Sequence, residues 1–130
     1  MAITGIDHIV LRVKDIDEGI ASYKKLGLEL TKTLETPGIG KQAIFRLSDD
    51  TFVELVAPTD ADSAIARAID RNGEGLHTVA FSVDDVKATA DEVANNNAQV
   101  LPMVDDKTAY VHPKSMHGLL VQLQNKSELG

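Results

Sequence analysis

An internal repeat constrains this chain more than any other feature of its sequence. The apolar stretch of residues 5–13 returns as residues 75–83, and in each copy an acidic step and a helix-like pattern follow. Each stretch is rich in β-branched residues, which favour strands. A chain that repeats itself once is predicted to contain two copies of one module, and the cleft between the copies is a natural place for a functional site.

The spacing of apolar residues and turn residues predicts the same element order, β-α-β-β-β, in each copy. We expect a single domain over residues 1–130, with a first module at about 5–58, a helical linker at 59–73 and a second module at about 74–125. A short strand is predicted at residues 28–34 of the first module, and helices are predicted at 64–71 in the linker and at about 85–95 in the second module. The strands of the second module are predicted at 75–83 and near 99–104, 107–111 and 119–124. The polar tail, Lys126–Gly130, is expected to fray.

Composition and charge exclude several classes of protein. The formal net charge is −7, which argues against a nucleic acid or an anionic membrane as partner. No apolar run approaches the roughly 20 residues of a membrane span, and no signal peptide is recognisable. The chain has no cysteine, so it has neither disulfides nor a thiolate nucleophile. A cytoplasmic protein with a small-molecule substrate is the expectation.

Four polar residues lie within or at the start of apolar strands and form the predicted site. Glu54 and Gln122 occupy corresponding places on the last strand of each module, and His8 opens the first strand. Matching the hydrophobic pattern of the two modules pairs His8 with Thr78, whereas matching the histidines pairs it with His77. Because side chains alternate between the faces of a strand, only one of these two residues shares the face of the site. The hydrophobic register favours Thr78.

These residue types allow either a metal site or an ordinary solvated sheet face. A carboxylate inside a strand is costly when its face is buried, unless a cation or hydrogen bonds meet it. Histidine and carboxylate are common ligands of divalent metals. A second polar cluster, the turn His112-Pro113-Lys114-Ser115, offers donors for a substrate carboxylate or phosphate, although it also fits a simple hairpin turn.

The chain resembles the vicinal oxygen chelate superfamily, which includes glyoxalases, bleomycin-resistance proteins and extradiol dioxygenases, and within it methylmalonyl-CoA epimerase-like members. The resemblance covers nearly the whole chain. It rests on residues 6–10, 54–58, 62–66, 73–77 and 83–86, and most specifically on the turn 112–115. It implies an α+β fold of two tandem βαβββ modules that form a U-shaped half-barrel cleft, usually in a homodimer.

The resemblance also implies a divalent metal, Co, Ni, Mn or Zn, bound by one residue from each of four strands. Carried over, the ligands are His8, Glu54 and Gln122, with Thr78 where the family has histidine. Gln122 stands where the family has a glutamate base, and the position of a second base falls near Gln42 or Ala43. Glutamine cannot take a proton from carbon. The predicted catalytic residues are therefore Glu54 and His8, and the predicted substrate-binding residues are His77, Thr78, His112, Lys114 and Ser115.

Two functions remain open on this reading. The first is an enzyme, an epimerase, isomerase or glyoxalase-like lyase, which removes a proton next to the carbonyl of a small carboxylate or acyl-thioester and stabilises the enolate with a metal. The second is a metal-free protein of the resistance type that binds a small molecule in the same cleft. An iron dioxygenase fits least, because Thr78 and Gln122 stand where its second histidine and its carboxylate should be.

Overall fold

The elements of a computed structural model, which describes residues 2–128, alternate short strands with three helices. The strands are β1 (Ile3–Arg12), β2 (Lys32–Thr36), β3 (Gly40–Arg46), β4 (Phe52–Ala57), β5 (Gly75–Val83), β6 (Thr108–Val111) and β7 (Leu120–Gln124). The helices are α1 (Ile16–Lys24), α2 (Ala64–Asn72) and α3 (Val86–Asn95). The prediction of an α+β fold is confirmed.

Contacts divide the chain into two compact units, of which the first is Val10–Leu76. In this unit β3 pairs antiparallel with both β2 and β4, and the end of β1 follows next to β4. On one face of β3 and β4, the fully buried side chains of Ala43, Phe45 and Leu55 lie under α1. The opposite face of the same strands carries Glu54, because side chains alternate along a strand.

The helices of the first unit begin at residues that cap them. The Asp15 side chain accepts a hydrogen bond from the Glu18 amide at 3.0 Å, and Ser63 does the same for Ala66 at 3.1 Å. Such caps satisfy amide groups that have no partner inside the helix. Ile65 and Ile69 of α2 then pack with Val10 into a small buried cluster, as their helical spacing predicts.

The second unit consists of the residues before Val10 and those after Leu76. Its strands follow the order β1, β5, β7, β6, with β5 parallel to β7 and β6 antiparallel to β7. The core of the unit lies on one face of these strands, against α3. It contains Val83, Val86, Ala90, Ala109, Val111, Val121 and Leu123.

Two predictions for the second unit need correction. The strand predicted near 99–104 is reduced to a single bridge between Val100 and Val111. The tail is not frayed at Ser127, since the Ser127 amide donates to the Asp7 carboxylate at 2.7 Å, and residues 129–130 of the predicted tail lie outside the described residues. The predicted module boundaries stay predictions, because they were defined by the repeat and the two units are defined by contacts.

Candidate functional site

His8 lies on β1 in a buried position and is held by its chain neighbour. Its Nδ1 is 2.7 Å from Oδ2 of Asp7. Asp7 has no exposed surface at all. A carboxylate that receives the N–H of one ring nitrogen leaves the lone pair on the other nitrogen, Nε2, which is the arrangement that ligand and acid–base histidines share.

Asp7 receives further donors from the C-terminal end of the chain. The Ser127 amide and hydroxyl each donate at 2.7 Å, and Nε2 of Gln124 donates at 3.1 Å. Burial alone would raise the pKa of Asp7. The hydrogen bonds from the Ser127 amide, the His8 ring and the Ser127 hydroxyl outweigh it, so that the pKa lies below its ordinary value. The carboxylate is therefore ionised at neutral pH.

Glu54 is half-buried on β4 and is oriented by an amide. Nε2 of Gln42 on β3 donates to Oε2 of Glu54 at 3.1 Å, and the hydroxyl of Thr36 on β2 donates to the carbonyl oxygen of Gln42 at 2.5 Å. Gln42 itself is buried. The three side chains form a relay of hydrogen bonds across three neighbouring strands, on the face that points away from α1.

The strand register of the second unit separates the two candidates at the start of β5. Thr78 lies opposite Leu120 and Ala80 opposite Gln122 in the parallel pairing of β5 and β7. Thr78 and Gln122 therefore lie on the same face, whereas His77 lies on the alternate face with Phe81, which packs on the α3 core. Whether Thr78 or His77 shares the face of His8 stays a prediction, as do the roles of both residues in binding.

The turn after β6 uses most of its polar groups internally. His112 Nδ1 accepts a hydrogen bond from the Lys114 amide at 2.9 Å, so its other ring nitrogen, Nε2, carries the proton in the neutral ring. The Ser115 hydroxyl accepts from the Gln99 amide at 2.9 Å. Lys114 is exposed. The turn is thus a fixed structure from which Lys114 extends into solvent.

The residues that orient the site are not predicted from the sequence. No pattern assigns a role to Asp7, Gln124 or Ser127, and Gln42 stands out only near the position of a base, a role that glutamine cannot fill. Asp7 could have been noticed, because an acidic residue directly before a strand histidine is unusual in an otherwise apolar segment. The contacts of Gln124 and Ser127 with Asp7 join residues more than a hundred positions apart, and no local pattern reveals them.

Within residues 2–128, histidine, aspartate and glutamate side chains do not gather in groups of three or more that could hold a metal ion. Over the same residues, the structure contains no helix long and apolar enough to cross a membrane.

The fold and these groups define a small α+β protein whose sheet faces carry an imidazole, a carboxylate and amides. These are functional groups that enzymes and binding proteins for small molecules use. A sequence model of the glyoxalase/bleomycin resistance protein/dioxygenase superfamily matches residues 7–112. The chain belongs to this superfamily, and the resemblance inferred from its sequence is confirmed.

The chain is also similar over most of its length to characterised epimerases. It is 29% identical to the ethylmalonyl-CoA/methylmalonyl-CoA epimerase of Cereibacter sphaeroides, covering 92% of this chain and 96% of that protein. Human mitochondrial methylmalonyl-CoA epimerase is 26% identical, with 92% and 72% of the two chains covered.

A solved structure of Streptomyces coelicolor methylmalonyl-CoA epimerase, a variant in complex with 2-nitronate-propionyl-CoA, has a TM-score of 0.84 to this chain. The two are 30% identical, with coverage of 97% and 99%. These relatives are enzymes that act on acyl-CoA thioesters. They support the prediction that this chain is an enzyme of the isomerase or epimerase type.

Proposed function

We propose that this protein is an epimerase of 2-carboxyacyl-CoA thioesters, with Glu54 as the group that removes the proton. The relatives named above act on methylmalonyl-CoA and ethylmalonyl-CoA, and their similarity extends over more than nine tenths of the chain. The observation that carries the proposal is the half-buried carboxylate of Glu54 on a strand face, oriented by the Gln42 amide at 3.1 Å. A fixed carboxylate of this kind is suited to general base catalysis.

The proposed reaction begins at the carbon between the thioester carbonyl and the substrate carboxylate. Its C–H bond breaks, the proton passes to the Glu54 carboxylate, and the electron pair is delocalised into the thioester as an enolate. A proton from water added to the opposite face of that carbon gives the epimer while Glu54 releases its proton to solvent, and return of the Glu54 proton to the same face regenerates the substrate. Atoms and electrons balance without an oxidant or reductant. The nitronate ligand of the S. coelicolor relative is a planar anion of the same shape as such an enolate.

His8 is proposed as the second functional group. Its ring is buried, and its Nδ1 is 2.7 Å from a carboxylate that is ionised. Nε2 is then the nitrogen that exchanges a proton with the enolate oxygen or binds a metal. Thr78, Gln122 and His77 are proposed to contact the substrate, as are His112, Lys114 and Ser115 of the turn.

A divalent metal, Co, Ni, Mn or Zn, is the second part of the proposal. His8, Glu54 and Gln122 would hold it through an imidazole nitrogen, a carboxylate oxygen and an amide oxygen. Such a donor set fits a divalent cation that has further coordination positions open to substrate. The Asp7 carboxylate next to Nδ1 of His8 is the kind of hydrogen-bond acceptor that commonly orients a metal-binding histidine. When bound, the metal would supply a positive charge that stabilises two adjacent oxygens of the substrate.

The direct test is a measurement of epimerisation with optically pure methylmalonyl-CoA and ethylmalonyl-CoA, with loss of optical purity followed over time. We expect turnover of at least one of them, reduced by roughly a hundredfold or more in Glu54→Gln because the base is removed. Glu92→Gln is the matched control, since Glu92 is an exposed glutamate of α3. No turnover of either thioester by the wild type would contradict the proposal and favour a binding protein or a glyoxalase-type reaction.

The same assay after treatment with a chelator tests the metal. Activity that disappears and returns with one of the four metals supports the metal site. Activity that persists supports Glu54 as a base in a metal-free site and contradicts the metal. A homodimer, which the family resemblance implies, is proposed as the working form and is tested by light scattering at the assay concentration.

A further inference from the structure

The carboxylate of Asp7 is a buried charge that several hydrogen-bond donors of the second unit reach. It has no exposed surface, yet four hydrogen bonds of 2.7–3.1 Å reach it, from His8, from the Ser127 amide and hydroxyl, and from Gln124. The ammonium group of Lys126 lies 3.5 Å from Oδ1. A buried carboxylate is costly without such partners. The arrangement therefore requires the C-terminal residues 124–127 to be in place.

The C-terminal residues are fixed independently of Asp7. The side-chain amide of Asn125 donates to the backbone oxygen of Val83 at 2.9 Å and to that of Asp84 at 3.0 Å. Residues 124–127 thus continue from β7 across the end of β5. This anchor places Ser127 where both its amide and its hydroxyl meet Asp7.

Three of the four hydrogen bonds to Asp7 come from Gln124 and Ser127 and not from His8. An ionised carboxylate held by the amide and hydroxyl of Ser127 and by Gln124 has no proton to give, so His8 must be the donor in the bond between Nδ1 and Oδ2. The neutral ring is then confined to one tautomer, with the proton on Nδ1 and the lone pair on Nε2. The choice between the two tautomers is normally made by such a neighbouring hydrogen bond.

We propose that Asp7, held in place by Gln124 and Ser127, is a positioning residue that fixes the tautomer and orientation of His8. The C-terminal segment 124–127 is accordingly part of the functional apparatus of the protein and not a passive tail. This inference goes beyond the proposed function, because it applies whether His8 binds a metal, transfers a proton or only contacts a ligand.

The test reads the tautomer of His8 directly and needs no substrate. Protein labelled with ¹⁵N in histidine is examined by long-range ¹H–¹⁵N NMR in the neutral form of the ring, with His8→Gln used to assign the signal. For the wild type we expect a protonated Nδ1 and an unprotonated Nε2. In Asp7→Asn the oxygen of the new amide takes the place of Oδ1, where the Ser127 backbone amide donates, so that its NH₂ group takes the place of Oδ2 and faces His8. We expect the proton to move to Nε2. Asp70→Asn, an exposed aspartate of α2, is the matched control and should leave the wild-type tautomer unchanged.

If Asp7→Asn does not fold, Ser127→Ala keeps the proposal testable. It removes one hydroxyl donor but leaves the ionised carboxylate with the Ser127 amide and Gln124, so we expect a folded protein in which His8 keeps the Nδ1–H tautomer while its Nδ1 proton exchanges with water faster than in the wild type. Ser127→Thr, which restores the hydroxyl, should recover the wild-type exchange rate. A folded Asp7→Asn that keeps the Nδ1–H tautomer overturns the proposal, as does a wild-type exchange rate in Ser127→Ala where Asp7→Asn does not fold. Asp7 would then only fasten the C-terminal segment to β1.

Discussion

Among the single residues, Asp7 and Glu54 are two carboxylates that hydrogen-bond donors of neighbouring residues orient. Asp7 is buried among donors and keeps its charge, while Glu54 is half-buried with one oxygen bonded to Gln42. Residue type and strand position point to His8 and Glu54 as the functional groups, and these roles stay predictions. The residues that orient them are not predictable in this way, because the hydrogen bonds of Gln42 and Ser127 depend on which strands and segments become neighbours.

Asp7 makes the stability of the fold depend on pH in the acid range. Its pKa is lower in the folded protein than its ordinary value of 3.8. The contribution of Asp7 is therefore fully present above that value and is lost as the pH falls through the lower folded pKa. Urea unfolding at a series of pH values should show a steeper loss of stability on acidification for the wild type than for Asp7→Asn. Equal slopes would contradict the pKa shift.

The relay from Thr36 through Gln42 to Glu54 predicts a loss of catalytic rate without a loss of substrate binding. Gln42→Leu keeps the approximate volume but removes the donor to Glu54, and a displaced base lowers kcat by about tenfold while KM changes little. Thr36→Val, which frees the amide to rotate, should have a smaller effect in the same direction. Thr33→Val, at an exposed position of β2, is the control. A raised KM with an unchanged kcat would show that Gln42 contacts substrate instead of positioning Glu54.

At the scale of elements, the long amphipathic and apolar segments were predictable and the short edge segments were not. The bounds predicted for β5 hold, and α2 and α3 lie within a residue of prediction, because capping residues and apolar periodicity coincide there. The strand predicted at 28–34 is instead β2 at Lys32–Thr36, whose side chains are mostly exposed. Its position is set by pairing with β3, and a solvated edge has no hydrophobic pattern that fixes the register.

The start of β3 depends on a glycine. Gly40 has a φ of 136°, and a Cβ at this position would lie 2.1 Å from the backbone oxygen of Ala57 on β4. Because neither backbone can move without breaking the pairing of the two strands, Gly40→Ala should lower the free energy of unfolding by about 2–4 kcal/mol. Gly5→Ala, whose Cβ would meet no atom within 4 Å, should change it by less than about 0.5 kcal/mol. Urea unfolding of both variants measures the difference, and equal stabilities would contradict the clash.

At the scale of the whole molecule, the charge of the protein opposes that of its proposed substrate. The chain carries a formal net charge of −7, and a coenzyme A thioester is a polyanion. Long-range repulsion of this kind is screened by salt. Superfamily membership is predictable from the sequence because the segments that carry the resemblance are spread over nearly the whole chain. The substrate is not predictable from the sequence, and neither is the balance between the net charge and local cations. Both depend on where the exposed cations lie in space.

We expect the KM for the thioester to decrease as the salt concentration rises from about 0.02 to 0.2 M, because screening becomes stronger over that range and weakens the repulsion. The exposed Lys114 should act against the overall charge, so that Lys114→Gln raises KM and strengthens the decrease with salt. Steady-state kinetics at fixed pH measures both effects. A KM that increases with salt would show that local cations, not the net charge, govern the approach of the substrate.

Glu54 is proposed to take the proton from the substrate carbon. The most direct measurement is the exchange of that hydrogen of methylmalonyl-CoA in D₂O, followed by ¹H NMR for the wild type, Glu54→Gln and the control Glu92→Gln. Exchange detects proton removal whether or not the carbon is inverted afterwards. We expect fast exchange in the wild type and the control, and a loss of about a hundredfold or more in Glu54→Gln. Equal exchange in the wild type and Glu54→Gln would contradict it and assign the proton transfer to another group.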